Sequence, residues 1–314
     1  MPQYPPGAPT ISGDVLSINR FLKDTPWVAR ALRSVADEQF VADKLLTGQL
    51  WTESGSIGYE QNQSIYADSA PKAVPAGGEY PITSISTGPA STANTVKWGN
   101  DTLLTDERIS RERYHAVQRA FRKLMNSHIQ TIDSVGLSAS VSAVTQNTNA
   151  IASWKTGGGT SKILRDVMRA ATSITNLKQG YMPNAIFVEP AVFANIVSDD
   201  ELMKLLPREY PGVESTPVRQ GLNSMFMRQI GGFTWITSPN APVTGKALML
   251  DTTVFGAFTD ERLASPDYVQ TENGLQVQSI RDKDVDGWRL RARRITVPVV
   301  LEPAAAWLIN GVDA

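Results

Sequence analysis

TDERISRERYHAVQRAFRKLMNSHIQTIDSV, residues 105–135, is the stretch from which the rest of the chain is best read. It holds no Gly or Pro. Thr105 stands where a helix cap is wanted, followed by Asp106 and Glu107 in a first turn where the helix dipole favours negative charge. Val117, Phe121, Leu124, Met125, His128, Ile132 and Val135 fall on one side at helical spacing, with Arg108, Arg119, Arg122, Asn126 and Asp133 opposite. An unbroken helix of this length would run roughly 45 Å at ~1.5 Å per residue, about three times an average helix. With a single apolar stripe, it reads as a beam with one face against something large. Arg113 falls beside the stripe and needs an acidic partner if buried.

Composition bounds what the beam can belong to. The chain has 314 residues and 41% hydrophobic content, enough for a sizeable core and roughly two domains. Charged residues make up 19%, below the ~25% of ordinary soluble proteins. Either partners cover much of the surface, or Ser, Thr, Asn and Gln carry the solubility. A net charge of −1 and a pI near 6.2 give no global attraction to nucleic acid or acidic membrane. The absence of cysteine excludes a disulfide scaffold, a Cys-zinc site and thiol catalysis. There is no N-terminal apolar segment and no run of about 18 apolar residues, so the chain reads as a soluble protein made in a cytoplasm.

Residues 1–14 are rich in Pro and Gly and are expected to be extended, as part of an arm over residues 1–25. Thr25 as cap, Pro26 at the first helical position and Gly48 beyond the end predict a helix over 26–46. Its buried face would be Val28, Ala31, Leu32, Val35, Ala42 and Leu46. Residues 50–100 then read as a long two-stranded ribbon, with arms Trp51–Tyr66 and Tyr80–Trp98 and a tip around Gly77-Gly78. Such a ribbon has little core of its own and must lie on another surface; the bland alternative is a long irregular loop.

After the long helix, SASVSAVTQNTNAIASW (138–154) reads as a small, polar crossing between domains. Helices over 160–179 and 190–206 and strands at 185–188, 233–237, 246–250 and 254–258 give a mixed α/β unit, while 207–225 is a polar loop. A hairpin pairs 275–280 with 288–297 through a turn at 284–287, and an apolar closing segment follows. The implied organisation is an arm (1–25), a helix (26–49), a ribbon (50–100), a discontinuous domain of 101–154 with 263–314, and an α/β domain over 155–262.

Motifs for chemistry are incomplete. TGGGTSK (156–162) lacks the Gly, four residues, Gly-Lys-Ser/Thr order of a phosphate loop. His115 and His128 are thirteen residues apart, not at the i, i+4 spacing of helical metal ligands, and His128 reads as a packing residue. SGSIG (54–58) is not a nucleophile elbow. Asp282, Asp284 and Asp286 sit in a hairpin turn, but the twelfth position that calcium would require as Glu is Arg293. No catalytic, cofactor or metal site is therefore expected. The basic residues Arg108, Arg111, Arg119, Arg122 and Lys123 could meet phosphates non-specifically, pair with a neighbouring chain, or simply be solvated.

The order of arm, helix, ribbon, long helix, α/β domain and returning hairpin resembles the major capsid proteins of tailed bacteriophages, with their α+β Hong Kong 97-type fold. FVADKLLTG (40–48) followed by GYE (58–60), TDERISRERYHAVQRAFRKLMNS (105–127), GYMPNAIFVEPAVFANI (180–196), GGFTWITSPNAPVTGKALMLD (231–251) and VPVVLEPAAAWLI (297–309) resemble, in that order, units of the actinobacteriophage branch. The resemblance implies a subunit forming hexamers and pentamers that close into an icosahedral virion shell around double-stranded DNA, assembled in the host bacterial cytoplasm without a membrane. DNA would be touched non-specifically. It makes 105–135 a spine helix in a peripheral domain and 155–262 an axial domain, with the ribbon as the extended loop over a neighbour. Trp51, Trp98, Trp288 and Trp307 become candidate interface anchors. Because Met1 leads almost directly into the arm, a separate scaffolding protein or none is expected, with no large cleavage, and with a portal and decoration protein as further partners. Some relatives cross-link a ribbon Lys to an Asn near the C-terminus with a Glu as base. Lys72 and Asn310 are the residues available here, but no Glu follows Glu302. An encapsulin-type nanocompartment, an α/β enzyme and a nucleic-acid-binding module are the alternatives.

Overall fold

A computed structural model describes residues 15–37, 40–61, 64–155, 162–199, 227–230, 232–240, 244–263, 265–270 and 274–313. The arm's residues 1–14, the TGGGTS stretch and the loop at 207–225 lie outside them. Two mixed layers make up the fold. In the first, β1 (Gly48–Thr52), β10 (Gly256–Glu261), β13 (Gly287–Val300), β12 (Leu275–Asp282) and β11 (Val269–Gln270) form a sheet in that order. The fourteen-residue β13 is long enough to share one edge between β10 at its end and β4 (Val96–Thr105) at its start. The second layer is the sheet β5 (Asn147–Asn149), β14 (Ala306–Asn310), β9 (Lys246–Leu250), β6 (Ala185–Val188), β8 (Phe233–Thr237) and β7 (Met227–Ile230).

β13 alternates as a half-buried strand should. Trp288, Leu290 and Ala292 are buried towards the helices, while Arg289 is exposed and Arg291 half-buried on the opposite face. Val117, Phe121, Leu124, Met125 and Ile132 of the spine fill the core over that sheet. The second sheet has its own core under α6 (Ile163–Thr175) and α7 (Pro190–Val197), centred on Trp154 and Trp235 in edge-to-face contact at 6.4 Å.

The spine differs from a single helix over 105–135. α4 (Asp106–Glu112) ends at Arg113, whose φ is +51°, and α5 runs from Tyr114 to Ala143. A non-glycine residue in this region costs on the order of 1 kcal/mol or more. The hairpin holds α4 in place: the Asp106 N–H donates to the Asp286 carbonyl, and the Arg281 guanidinium grips the Asp106 carboxylate at 2.6 Å and holds it below its usual range. Thr105 occupies the cap position but its side chain makes no capping bond; its backbone lies in the β4–β13 ladder opposite Gly287. Arg113 is exposed, so the acidic partner it would need in the core is not required.

At the other end the helix consumes much of the expected crossing. SASVSA continues α5 to Ala143, just past a tight contact in which a Cβ on Gly136 would lie 2.7 Å from Phe258 and 2.9 Å from Ala42. Asp133, placed by periodicity on the solvent side, is instead fully buried, and Val135 is only half-buried.

The N-terminal segment is also more helical than an arm. α1 (Val15–Lys23) buries Ile18, Phe21 and Leu22, with the Phe21 ring 6.3 Å from Phe121. The helix predicted over 26–46 is two: α2 (Thr25–Asp37) and α3 (Ala42–Leu45), with Val28, Leu32, Ala42 and Leu46 buried as expected. Three strands cross the expected domain limits. β14 and β5 join the second sheet although 306–310 and 147–149 were assigned to the discontinuous domain, and β10 joins the first although it lies before residue 263. In each case the hydrogen-bonding partner, Leu248 opposite Leu308 or Val299 opposite Ala257, is set by long-range pairing.

Candidate assembly surfaces

The ribbon is shorter in strand and longer in open chain than its composition predicts. β2 (Ser56–Glu60) pairs with β3 (Ala90–Asn94), and residues 64–88 form no ladder. Ser, Thr and Asp side chains tie the two limbs instead. The hydroxyls of Ser84 and Ser86 donate to Asp68 at 2.6 Å and hold its carboxyl below the usual range, and Ser69 meets Thr83 at 2.8 Å. Tyr66 donates to the Lys178 carbonyl and the Gln179 side chain accepts from Ile65 N–H, bracing the ribbon against the second layer. This leaves Tyr80, Ile82 and Ile85 at 80%, 97% and 85% exposure, side chains whose burial is worth about 1.5–3 kcal/mol each when a surface covers them.

The basic residues of the spine are exposed: Arg108, Arg111, Arg119, Arg122 and Lys123. The structure divides them, because Glu112 takes both Arg108, at 3.7 Å, and Arg119, at 3.2 Å. The four tryptophans also separate. Trp288 is buried and donates to the Asn19 side chain at 3.0 Å, which fastens α1 to the sheet and leaves little face for a partner. Trp307 is half-buried against the second core, its indole N–H donating to Thr148. Trp98 is half-buried, and so is Trp51, with the Arg262 guanidinium 3.9 Å over its ring. Lys72 is exposed on the ribbon, whereas Asn310 sits in β14 with its amide N–H donating to Asn147.

Sequence reading missed two buried polar centres. Arg294, at 2% exposure, lies between Asp260 at 2.9 Å and Asp43 at 3.1 Å, with the Phe258 ring beneath it. Burial opposes its charge, but the two carboxylates outweigh that and raise its pKa above the ordinary value. The second centre is Asp133, whose carboxylate accepts from the N–H groups of Val41 and Ala42 at 3.1 and 3.0 Å. Burial dominates there and pushes the carboxyl up to about 6, with the Asp43 carboxylate acting in the same direction. The signal for Arg294 was a charged residue in an otherwise inward-facing register of β13; for Asp133 helical periodicity offered none. His128 is buried, burial lowers its pKa, and its Nε2 has no hydrogen-bond partner among the described residues. No group of three or more His, Cys, Asp or Glu residues placed to hold a metal occurs among the described residues, nor is any described helix long and apolar enough to cross a membrane.

Taken together, the beam, ribbon and two mixed layers define the fold class: an α+β capsid fold of the Hong Kong 97 type. The chain is similar to the capsid structure of cyanophage P-SCSP1u, with a TM-score of 0.60 and 12% identity over 88% of this chain and 89% of that one. It is similar to a chain from Mycobacterium phage Adephagia (TM-score 0.52, 10% identity, 85% and 89% covered). It is also similar to the holo-SrpI encapsulin complex of Synechococcus elongatus PCC 7942 (TM-score 0.53, 13% identity, 98% and 92% covered). At these identities the likeness is one of fold. Over residues 89–309 the sequence matches the phage capsid protein family, and the chain belongs to that family. A comparison with curated proteins found no match.

Proposed function

We propose that the chain is the major capsid subunit of a tailed bacteriophage, forming hexamers and pentamers that close into an icosahedral shell around double-stranded DNA. The observation that carries this reading is the ribbon. Residues 64–88 hold Tyr80, Ile82 and Ile85 in solvent without a ladder or core beneath them, which only a neighbouring surface relieves. The first sheet with α5 serves as the peripheral domain, and the second sheet with α6 and α7 as the axial domain. The subunit acts structurally and performs no catalysis. It assembles in the host cytoplasm with a separate scaffolding protein and a portal, takes a decoration protein on its outer face, and meets DNA non-specifically. Arg111, Arg122 and Lys123 are the spine cations most available for that contact, since Glu112 occupies Arg108 and Arg119.

A second reading has one specific support, the likeness to an encapsulin over nearly the whole chain. Electron microscopy of particles from the native host separates the two. Shells of hexamers and pentamers holding nuclease-protected double-stranded DNA are expected; a protein cargo in place of DNA would replace the phage reading by the nanocompartment.

A further inference from the structure

The ribbon is fastened to both layers of its own subunit. At its base the Thr95 hydroxyl donates to the Glu261 carboxylate at 2.6 Å, and the Gln61 side-chain amide donates to the Val300 carbonyl of β13 at 2.8 Å, both in the first layer. A few residues further on, the Ile65 N–H donates to the Gln179 side chain at 3.1 Å and the Tyr66 hydroxyl donates to the Lys178 carbonyl at 2.7 Å, both in the second layer. The receiving loop, just after α6, passes through the left-handed region at Lys178, φ +56°, and Gly180, φ +77°. That conformation is costly for a lysine, and such strain is kept where the surrounding structure puts it to use. The contacts themselves are open to solvent, with Ile65 and Tyr66 at 60% and 58% exposure. They add little to the stability of the fold, and their effect falls on where the ribbon points.

A contact that held the ribbon back would cover the side chains a partner has to meet. This one leaves Tyr80, Ile82 and Ile85 almost wholly in solvent. Asp68, close beyond Tyr66, grips the opposite limb through the Ser84 and Ser86 hydroxyls, so a position set at Ile65 and Tyr66 is passed to the limb that carries the three apolar residues. We propose that Ile65 and Tyr66, seated on Lys178 and Gln179, form a positioning brace that pre-sets the ribbon for a second copy of this chain. The proposal rests on the capsid reading above. An unbraced ribbon has to be ordered at the moment of assembly, and that conformational entropy is subtracted from the association free energy. A braced ribbon has given up much of that freedom beforehand, and the neighbouring copy meets an ordered surface.

The test compares the full-length wild type with Tyr66→Phe, which keeps the ring and removes the donor, and with Gln179→Ala, which removes the acceptor. Sedimentation velocity over a concentration series reads the concentration at which subunits begin to associate. Each variant should raise it about two- to tenfold, the worth of one hydrogen bond, while the urea unfolding midpoint stays that of the wild type. An unchanged concentration would overturn the proposal, and a lowered one would show that the contact restrains the ribbon instead of presenting it. Millisecond hydrogen exchange of the Ile65 amide in the free subunit is the second arm: Gln179→Ala should speed it about two- to tenfold, and an unchanged rate would equally overturn the brace. A wild type that stays monomeric even with a scaffolding protein supplied would overturn the capsid reading and this proposal with it, whereas a wild type that assembles beside variants that assemble equally well would overturn the brace alone.

Discussion

Gly136 and Phe258 approach so closely that a Cβ on the glycine would stand 2.7 Å from the phenyl Cζ, with the Ala42 Cβ at 2.9 Å. At this glycine the spine helix therefore packs directly against side chains of β10 and α3. Replacing Gly136 by Ala should gain about 1 kcal/mol in helix propensity. Overpacking of the buried Phe258 and Ala42 costs typically 1–3 kcal/mol. We expect Gly136→Ala to be mildly destabilising and Gly136→Val clearly more so, measured by urea unfolding of the free subunit. A more stable Gly136→Val protein would contradict the packing.

Phe121 is 6% exposed and carries the contact between α1 and the spine through Phe21. Phe121→Asp places an unpaired charge in that core, a cost of several kcal/mol against a typical total of about 5–15. No soluble folded subunit is expected. Yield and circular dichroism like those of the wild type would show that the buried face is misassigned.

Arg294→Leu leaves Asp260, at 2% exposure, buried without its cation. Breaking a buried pair from one side costs roughly 3–5 kcal/mol, whereas replacing both partners by apolar residues can be close to neutral. Chemical denaturation should therefore find Arg294→Leu much less stable than the double variant Arg294→Leu/Asp260→Leu. Equal stability of the two would show that the ion pair is not the organising feature of this core.

Ile82→Asp with Ile85→Asp changes side chains that touch almost nothing within the subunit. Thermal stability of the free subunit should stay within about 0.5 kcal/mol of the wild type, as for ordinary surface changes. Assembly, followed by light scattering, should fail. Normal shells from this variant would remove the ribbon from the assembly mechanism.

Much of the architecture was legible because it rests on local periodicity. The spine stripe, the strand at Ala185–Val188 and the 275–297 hairpin all came from spacing and turn residues. What sequence missed was decided by long-range pairing. The break at Arg113 falls before Val117, the first residue of the stripe, so periodicity cannot register it. Residues 138–143 read as part of a polar crossing because their small side chains carry no apolar stripe, whereas α5 continues through them to Ala143. Asp133 read as a solvated charge because its partners are backbone N–H groups of Val41 and Ala42, which no residue type announces. Trp288 was one of four similar tryptophans until Asn19 was found against its indole.

The most direct measurement is the mass of the purified subunit by sedimentation velocity, with electron microscopy of the largest species. Six chains of 34.2 kDa give a capsomer of about 205 kDa, and a closed shell runs to megadaltons. The account predicts capsomers or shells, alone or once a scaffolding protein is supplied. A subunit that stays monomeric under both conditions would contradict it.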